Sequence, residues 1–98
     1  MAKLFAVTRS RGPAWNDSLA LEQQADWHAH AVFMNNLHKE GFVLLGGPLE
    51  DTPVVLLIVS ANDESEIRSF FAADCWTENN LLVITAIHRW TLRLGSLP

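Results

Sequence analysis

The chain has 98 residues and one cysteine, Cys75. A single thiol closes no intrachain disulfide, which fits a reducing compartment. Basic runs are also missing: seven Lys and Arg are scattered along the chain, and the formal net charge is −4. Phosphate backbones and anionic membrane surfaces call for clustered cations, so neither nucleic acid nor a membrane surface is an expected partner. No apolar stretch approaches the ~20 residues of a membrane span. The N-terminal apolar run stops at Thr8 and Arg9, too early for a signal-peptide core. A cytoplasmic location is the expectation.

Hydrophobic residues make up 49% of the chain and charged residues 18%. That excludes a disordered tail and allows one core without disulfides or a structural metal. One domain over residues 1–98 follows from the length. The surplus of apolar surface points to a subunit interface.

The hydrophobic pattern predicts six elements. Lys3 to Thr8 reads as a strand, and Arg9 to Ser18, with Gly12, Pro13, Asn16 and Asp17, as a loop. Leu21 to Glu40 repeats at helical spacing without an internal Gly or Pro, and Gly41 supplies its stop. Phe42 to Leu45 is a second strand, ending in Gly46-Gly47-Pro48, and Val54 to Val59 a third. Asp63, with Glu66 three residues on, caps a second helix that ends near Ala73. Leu81 to Leu92 is the last strand. The order β-α-β-β-α-β, with crossovers of one hand, gives an α+β ferredoxin-like fold: a four-stranded antiparallel sheet with two helices on one face. The bare sheet face would be a large apolar patch, so a homodimer through that face is expected.

Chemistry concentrates on the first helix. At about 100° per residue, His30 sits at the centre of the apolar stripe, with Leu37, Met34, Phe33 and Trp27 within about 60° of it. Imidazole titrates near neutrality and can move a proton. The structural alternative is a core histidine with one satisfied hydrogen bond. Asp74 continues the apolar stripe of the second helix near its C-terminus, where the helix dipole disfavours an anion. A residue that breaks a local rule hints at function. If Asp74 reaches His30 it would orient the ring as a His–Asp acid/base pair. Its structural alternative is a turn residue bonding local N–H groups.

Other constellations fail. His28 and His30 point about 160° apart on a helix, and His38 lies about 12 Å of rise beyond His30, so no metal site is expected. A carboxylate neighbour raises the thiol of Cys75 rather than activating it. Gly46-Gly47-Pro48 is followed by no helix start or Lys and is not a phosphate loop, so no cofactor is called for. Gly47 and Pro48 could instead let a ligand approach bare backbone. Among the four tryptophans, Trp27 and Trp76 are the best pocket residues, being nearest His30 and Asp74 in sequence.

The strings Glu22-Gln23 … Trp27-x-x-His30-x-x-Phe33-Met34-x-x-Leu37 … Gly41-Phe42 … Gly46-Gly47-Pro48-Leu49 and Phe70-Phe71-Ala72-Ala73-Asp74-Cys75-Trp76, with Trp90 in the closing strand, resemble the YciI-like (YCII-related) domain family. The resemblance covers nearly the whole chain. It implies a dimeric α/β-barrel and a pocket whose His–Asp pair, proposed as catalytic, maps to His30 and Asp74. The family is similar in fold to muconolactone isomerases, and a relative eliminates chloride in chloroaromatic breakdown. One position departs: Cys75 follows Asp74 where the family usually has Pro.

The leading expectation is a small-molecule lyase or isomerase. His30 would be the general base and Asp74 its orienting partner. Trp27, Met34, Trp76, Gly47 and Pro48 would hold a small cyclic or aromatic, or carboxylated, substrate. The rival is a ligand-binding or regulatory module without chemistry. A purely structural dimerisation domain is a third reading. It predicts no pocket between the first helix and the sheet, and a His30 bonded to backbone.

Overall fold

The computed structural model describes residues 2–96, so the outermost positions of the 1–98 domain range, 1, 97 and 98, lie outside it. Strand β1 spans Lys3–Arg11. A 3-10 turn at Leu21–Gln23 precedes helix α1, Trp27–Lys39. Strands β2 (Val43–Pro48) and β3 (Val54–Ala61) follow, then helix α2 (Glu64–Ala72), the short helix α3 (Cys75–Glu78) and strand β4 (Leu82–Arg89). The strands form one antiparallel sheet in the order β2-β3-β1-β4, the ferredoxin-like arrangement. Among the described residues no helix is long and apolar enough to cross a membrane.

Period-two alternation explains which face is buried. Phe5, Val7 and Arg9 of β1 lie opposite Val59, Leu57 and Val55 of β3 and point to the same side. On that side Phe5, Val7, Leu57 and Val59 join Leu37 of α1 and Ile67 and Phe71 of α2 in one core. The opposite face carries Ala6, Leu56 and Ile58 and the half-exposed Leu45.

Several local expectations hold. Gly41 takes φ 80° after α1, in the left-handed region that favours glycine. Asp63 accepts from the Glu66 N–H at 2.8 Å and starts α2.

Three readings need correction. The segment from Leu21 to Glu40 is not one helix. The Gln24 side chain bonds the Asn16 N–H and the carbonyls of Asn16 and Leu19, fastening this stretch to the loop before it. Asp26 then takes φ 59°, so helical geometry begins only at Trp27. Second, β1 does not end at Thr8. Arg9, Ser10 and Arg11 stay in the ladder, paired with β3 or β4 or both, after a register shift between Thr8 and Arg9. Third, Asp74 does not sit at the unfavourable end of a helix. The second helix stops at Ala72, and Asp74 is the N-cap of α3, accepting from the Trp76 N–H at 3.1 Å. A carboxylate belongs at that end, where it meets orphan N–H groups and a favourable dipole.

Candidate functional site

α1 crosses the sheet beside β2 and leaves a cavity of about 530 Å³ between them. Trp27, His30, Met34, Gly47, Pro48 and Trp76 all line it. Asp74 does not: it lies behind His30 with 0% of its surface exposed. It meets the cavity lining through the His30 imidazole and the Trp76 N–H. A purely structural role predicts neither this cavity nor a His30 bonded to a side chain.

His30 is 8% exposed, and its Nδ1 lies 2.9 Å and 3.1 Å from the two Asp74 carboxylate oxygens. An ionised carboxylate can only accept, so Nδ1 carries the proton and donates it. Nε2, the remaining ring nitrogen, has no hydrogen-bond partner among the described residues. The ring stacks on Trp76, with centroids 3.9 Å apart and planes 6° from parallel. Trp76 is itself held. It is fully buried, its indole N–H donates to the Ala25 carbonyl, and Trp15 meets it edge-on at 5.7 Å. The imidazole is therefore fixed by a carboxylate along one edge and an indole across one face. Little reorientation remains to be frozen when a ligand arrives.

Sequence reasoning missed Arg9. It is 1% exposed, and its Nη1 donates to Asp74 Oδ2 at 3.0 Å and its Nη2 to Thr77 Oγ1 at 2.9 Å. Its Cζ lies 5.1 Å from the centroid of the Phe71 ring, within cation–π range. The signal was present: Phe5, Val7 and Arg9 share the period-two face, which put a guanidinium on the core side. Asp74 thus accepts from three directions, from His30, Arg9 and the Trp76 N–H. Burial alone pushes its carboxyl up. The hydrogen bond from His30, with its charge whenever the ring is protonated, the Trp76 N–H and the charge of Arg9 outweigh burial and hold the carboxyl below its ordinary range. Burial lowers Arg9 from its ordinary value, partly offset by Asp74.

His38 and Asn35 also line the cavity, further along α1. His38 is exposed and donates from Nδ1 to the Val43 carbonyl at 2.9 Å. Two turns separate it from His30, too far to share a metal but close enough to share one elongated cavity. No group of three His, Cys, Asp or Glu side chains gathers as a metal set among the described residues. The Cys75 thiol is pushed up by burial, and further by the charges of Asp74 and Asp26, as its position next to a carboxylate implied.

The lining is otherwise Leu, Val, Met and Trp, with the backbone of Gly46 and Gly47. It includes no Lys, Arg, Asp or Glu among the described residues. Gly46 has a packing reason: a Cβ there would stand 2.5 Å from Leu57 Cδ2, pushing that side chain out of place at the cavity wall.

No family model matches the chain, and no curated protein does. Among solved structures, it is similar to 5-chloro-2-hydroxyhydroquinone dehydrochlorinase (TftG) from Burkholderia phenoliruptrix AC1100, in complex with 2,5-dihydroxybenzoquinone. The two share 26% sequence identity over 90% of this chain and 93% of that chain, with a TM-score of 0.67.

Proposed function

We propose that this protein is a YciI-like lyase or isomerase acting on a small hydroxylated ring, with His30 as general base. The observation that carries this reading is the neutral-lined cavity with one buried imidazole whose Nδ1 is committed to Asp74 and whose Nε2 is unbonded. Similarity to a dehydrochlorinase of a chlorinated hydroxyhydroquinone supports the ring chemistry. The lining supplies no fixed cation for a phosphate or carboxylate, which favours an uncharged ring over a carboxylated one.

Nε2 takes a proton from a ring hydroxyl or an activated C–H. In an elimination, the electron pair left behind becomes a π bond as the leaving group departs with its own bonding pair. In an isomerisation, the same proton returns at another position. The imidazolium formed is stabilised by Asp74 at 2.9 Å and by the Trp76 face at 3.9 Å. Trp27 and Met34 on α1 and the Gly47–Pro48 end of β2 would hold the ring.

The test is chloride release from chlorinated hydroxyhydroquinones. His30→Asn should slow it by about 10²–10⁴-fold while leaving affinity for 2,5-dihydroxybenzoquinone within a few fold. Undiminished turnover by the variant would remove His30 from the chemistry. Binding of the quinone with no product from any such ring would favour the non-catalytic ligand-binding module instead. A homodimer through the open sheet face belongs to the same reading. Ala6 and Leu56, with the half-exposed Leu45, supply its apolar surface, and sedimentation at micromolar concentration should show a dimer.

A further inference from the structure

We propose that Arg9 is a positioning residue: its guanidinium supplies the countercharge of Asp74, so that His30 rests as a neutral imidazole with a lone pair at Nε2. This rests on the reading of His30 as a base.

Arg9 is an expensive residue where it stands. It is 1% exposed, and its Nε is buried with no hydrogen-bond partner. An apolar side chain would pack there against Met34 and Phe71 without that penalty, since buried ion pairs are commonly matched by hydrophobic replacements. Core packing therefore gives no reason for an arginine. Asp74 gives one. Its fully buried carboxylate needs a cation, and two are in reach: the Arg9 guanidinium at 3.0 Å and a protonated His30 at 2.9 Å. A guanidinium keeps its proton at any ordinary pH. With Arg9 in place the carboxylate is compensated permanently, and the imidazole is left to accept a proton rather than to hold one.

The surroundings of His30 leave this to Arg9 and Asp74. Trp27 and Met34 flank it on α1, Trp76 covers it from α3, and Val43 and Leu57 line the same cavity. Of the other titratable groups nearby, Asp26 turns its carboxylate to the Asn79 amide and Cys75 its thiol to the Asp26 carbonyl. His38 stands two turns along α1, tied to the Val43 carbonyl. Thr77 fixes the other arm of the guanidinium, so the charge is held in register with Oδ2.

The experiment is a ¹⁵N-resolved NMR titration of His30 in the ligand-free protein, comparing parent, Arg9→Met and Arg9→Lys. In Arg9→Met the imidazolium becomes the one remaining countercharge, and its titration midpoint should rise by about one pH unit or more. Arg9→Lys should stay near the parent. A folded Arg9→Met with an unchanged midpoint, or a Lys variant that shifts like Met, overturns the proposal. If Arg9→Met does not fold, the parent decides alone. Near neutral pH its spectrum should show a protonated Nδ1 and an unprotonated Nε2, and an imidazolium there overturns the proposal. None of these readings needs a substrate. A failure here leaves the role of His30 to the turnover test, and a failure of that test leaves the titration standing.

Discussion

Replacing Asp74 by Asn tests the buried charges as a stability element. The amide keeps an acceptor for the Trp76 N–H or for His30 Nδ1, but it removes the charge opposite Arg9, which is 1% exposed. Breaking a buried ion pair by neutralising one member costs about 3–5 kcal/mol, because the remaining charge stays buried without compensation. A domain of 98 residues is stable by about 5–15 kcal/mol. The variant should therefore lose about a fifth or more of its stability. At about 4–8 °C per kcal/mol, its melting temperature should fall by roughly 12–40 °C. The companion Arg9→Met/Asp74→Asn removes both charges and should recover at least half of the loss. Urea unfolding followed by circular dichroism measures all four corners of the cycle. The coupling between positions 9 and 74 should exceed about 1 kcal/mol, as for residues in direct contact. A single variant that loses less than about 1 kcal/mol, or a double variant as unstable as the sum of the singles, would refute the idea that these charges depend on each other.

The remaining predictions use other features. Asp74 is depressed in the folded state, so its stabilisation is complete above the ordinary carboxylate value near 3.9 and is lost as pH falls from there through the folded value. Urea midpoints between pH 6 and 3 should decline more steeply in the parent than in Arg9→Met/Asp74→Asn; parallel curves would contradict this. Gly12→Ala places a Cβ 2.2 Å from the Asn80 carbonyl oxygen, a backbone atom that no rotamer change can move. It should cost about 1–3 kcal/mol, read as a lower melting temperature. Cys75 carries a thiol pushed up by burial and nearby carboxylates, so iodoacetamide at neutral pH should alkylate it more slowly than a free thiol such as glutathione.

The parts of the molecule written in local chemistry were legible. The Asp63 cap, the Gly41 stop and the branched run at Val54–Val59 each depend on neighbours within a few residues, and each forms where its residues indicate. His30 and Asp74 were singled out because both lie on apolar stripes, and they meet. The reason offered for Asp74 was nevertheless wrong. It looked misplaced at a helix C-terminus only because α3, four residues long, is too short to leave a periodic signal. The interruption before Trp27 was illegible for a related reason. It is set by the Gln24 side chain reaching back to Asn16, and spacing along a helix carries no trace of such a bond. Arg9 was missed although it continues the period-two face of Phe5 and Val7, because it opens a polar, turn-rich stretch that reads as loop and its partner Asp74 lies 65 residues away.

That separation bears on how the chain folds. Asp74 draws on β1 at one end of the sequence and on α1 44 residues away, so the cluster exists only once three distant segments have met. Closing such loops is slow, and ionised groups lose water only when their partners are already in place. The Arg9–Asp74–His30 contact should accordingly belong to the last events of folding and stay unformed at the barrier. Variants there would then leave the folding rate nearly untouched and express their cost as faster unfolding. The group held ready for a ligand would thereby also set how long each molecule stays native.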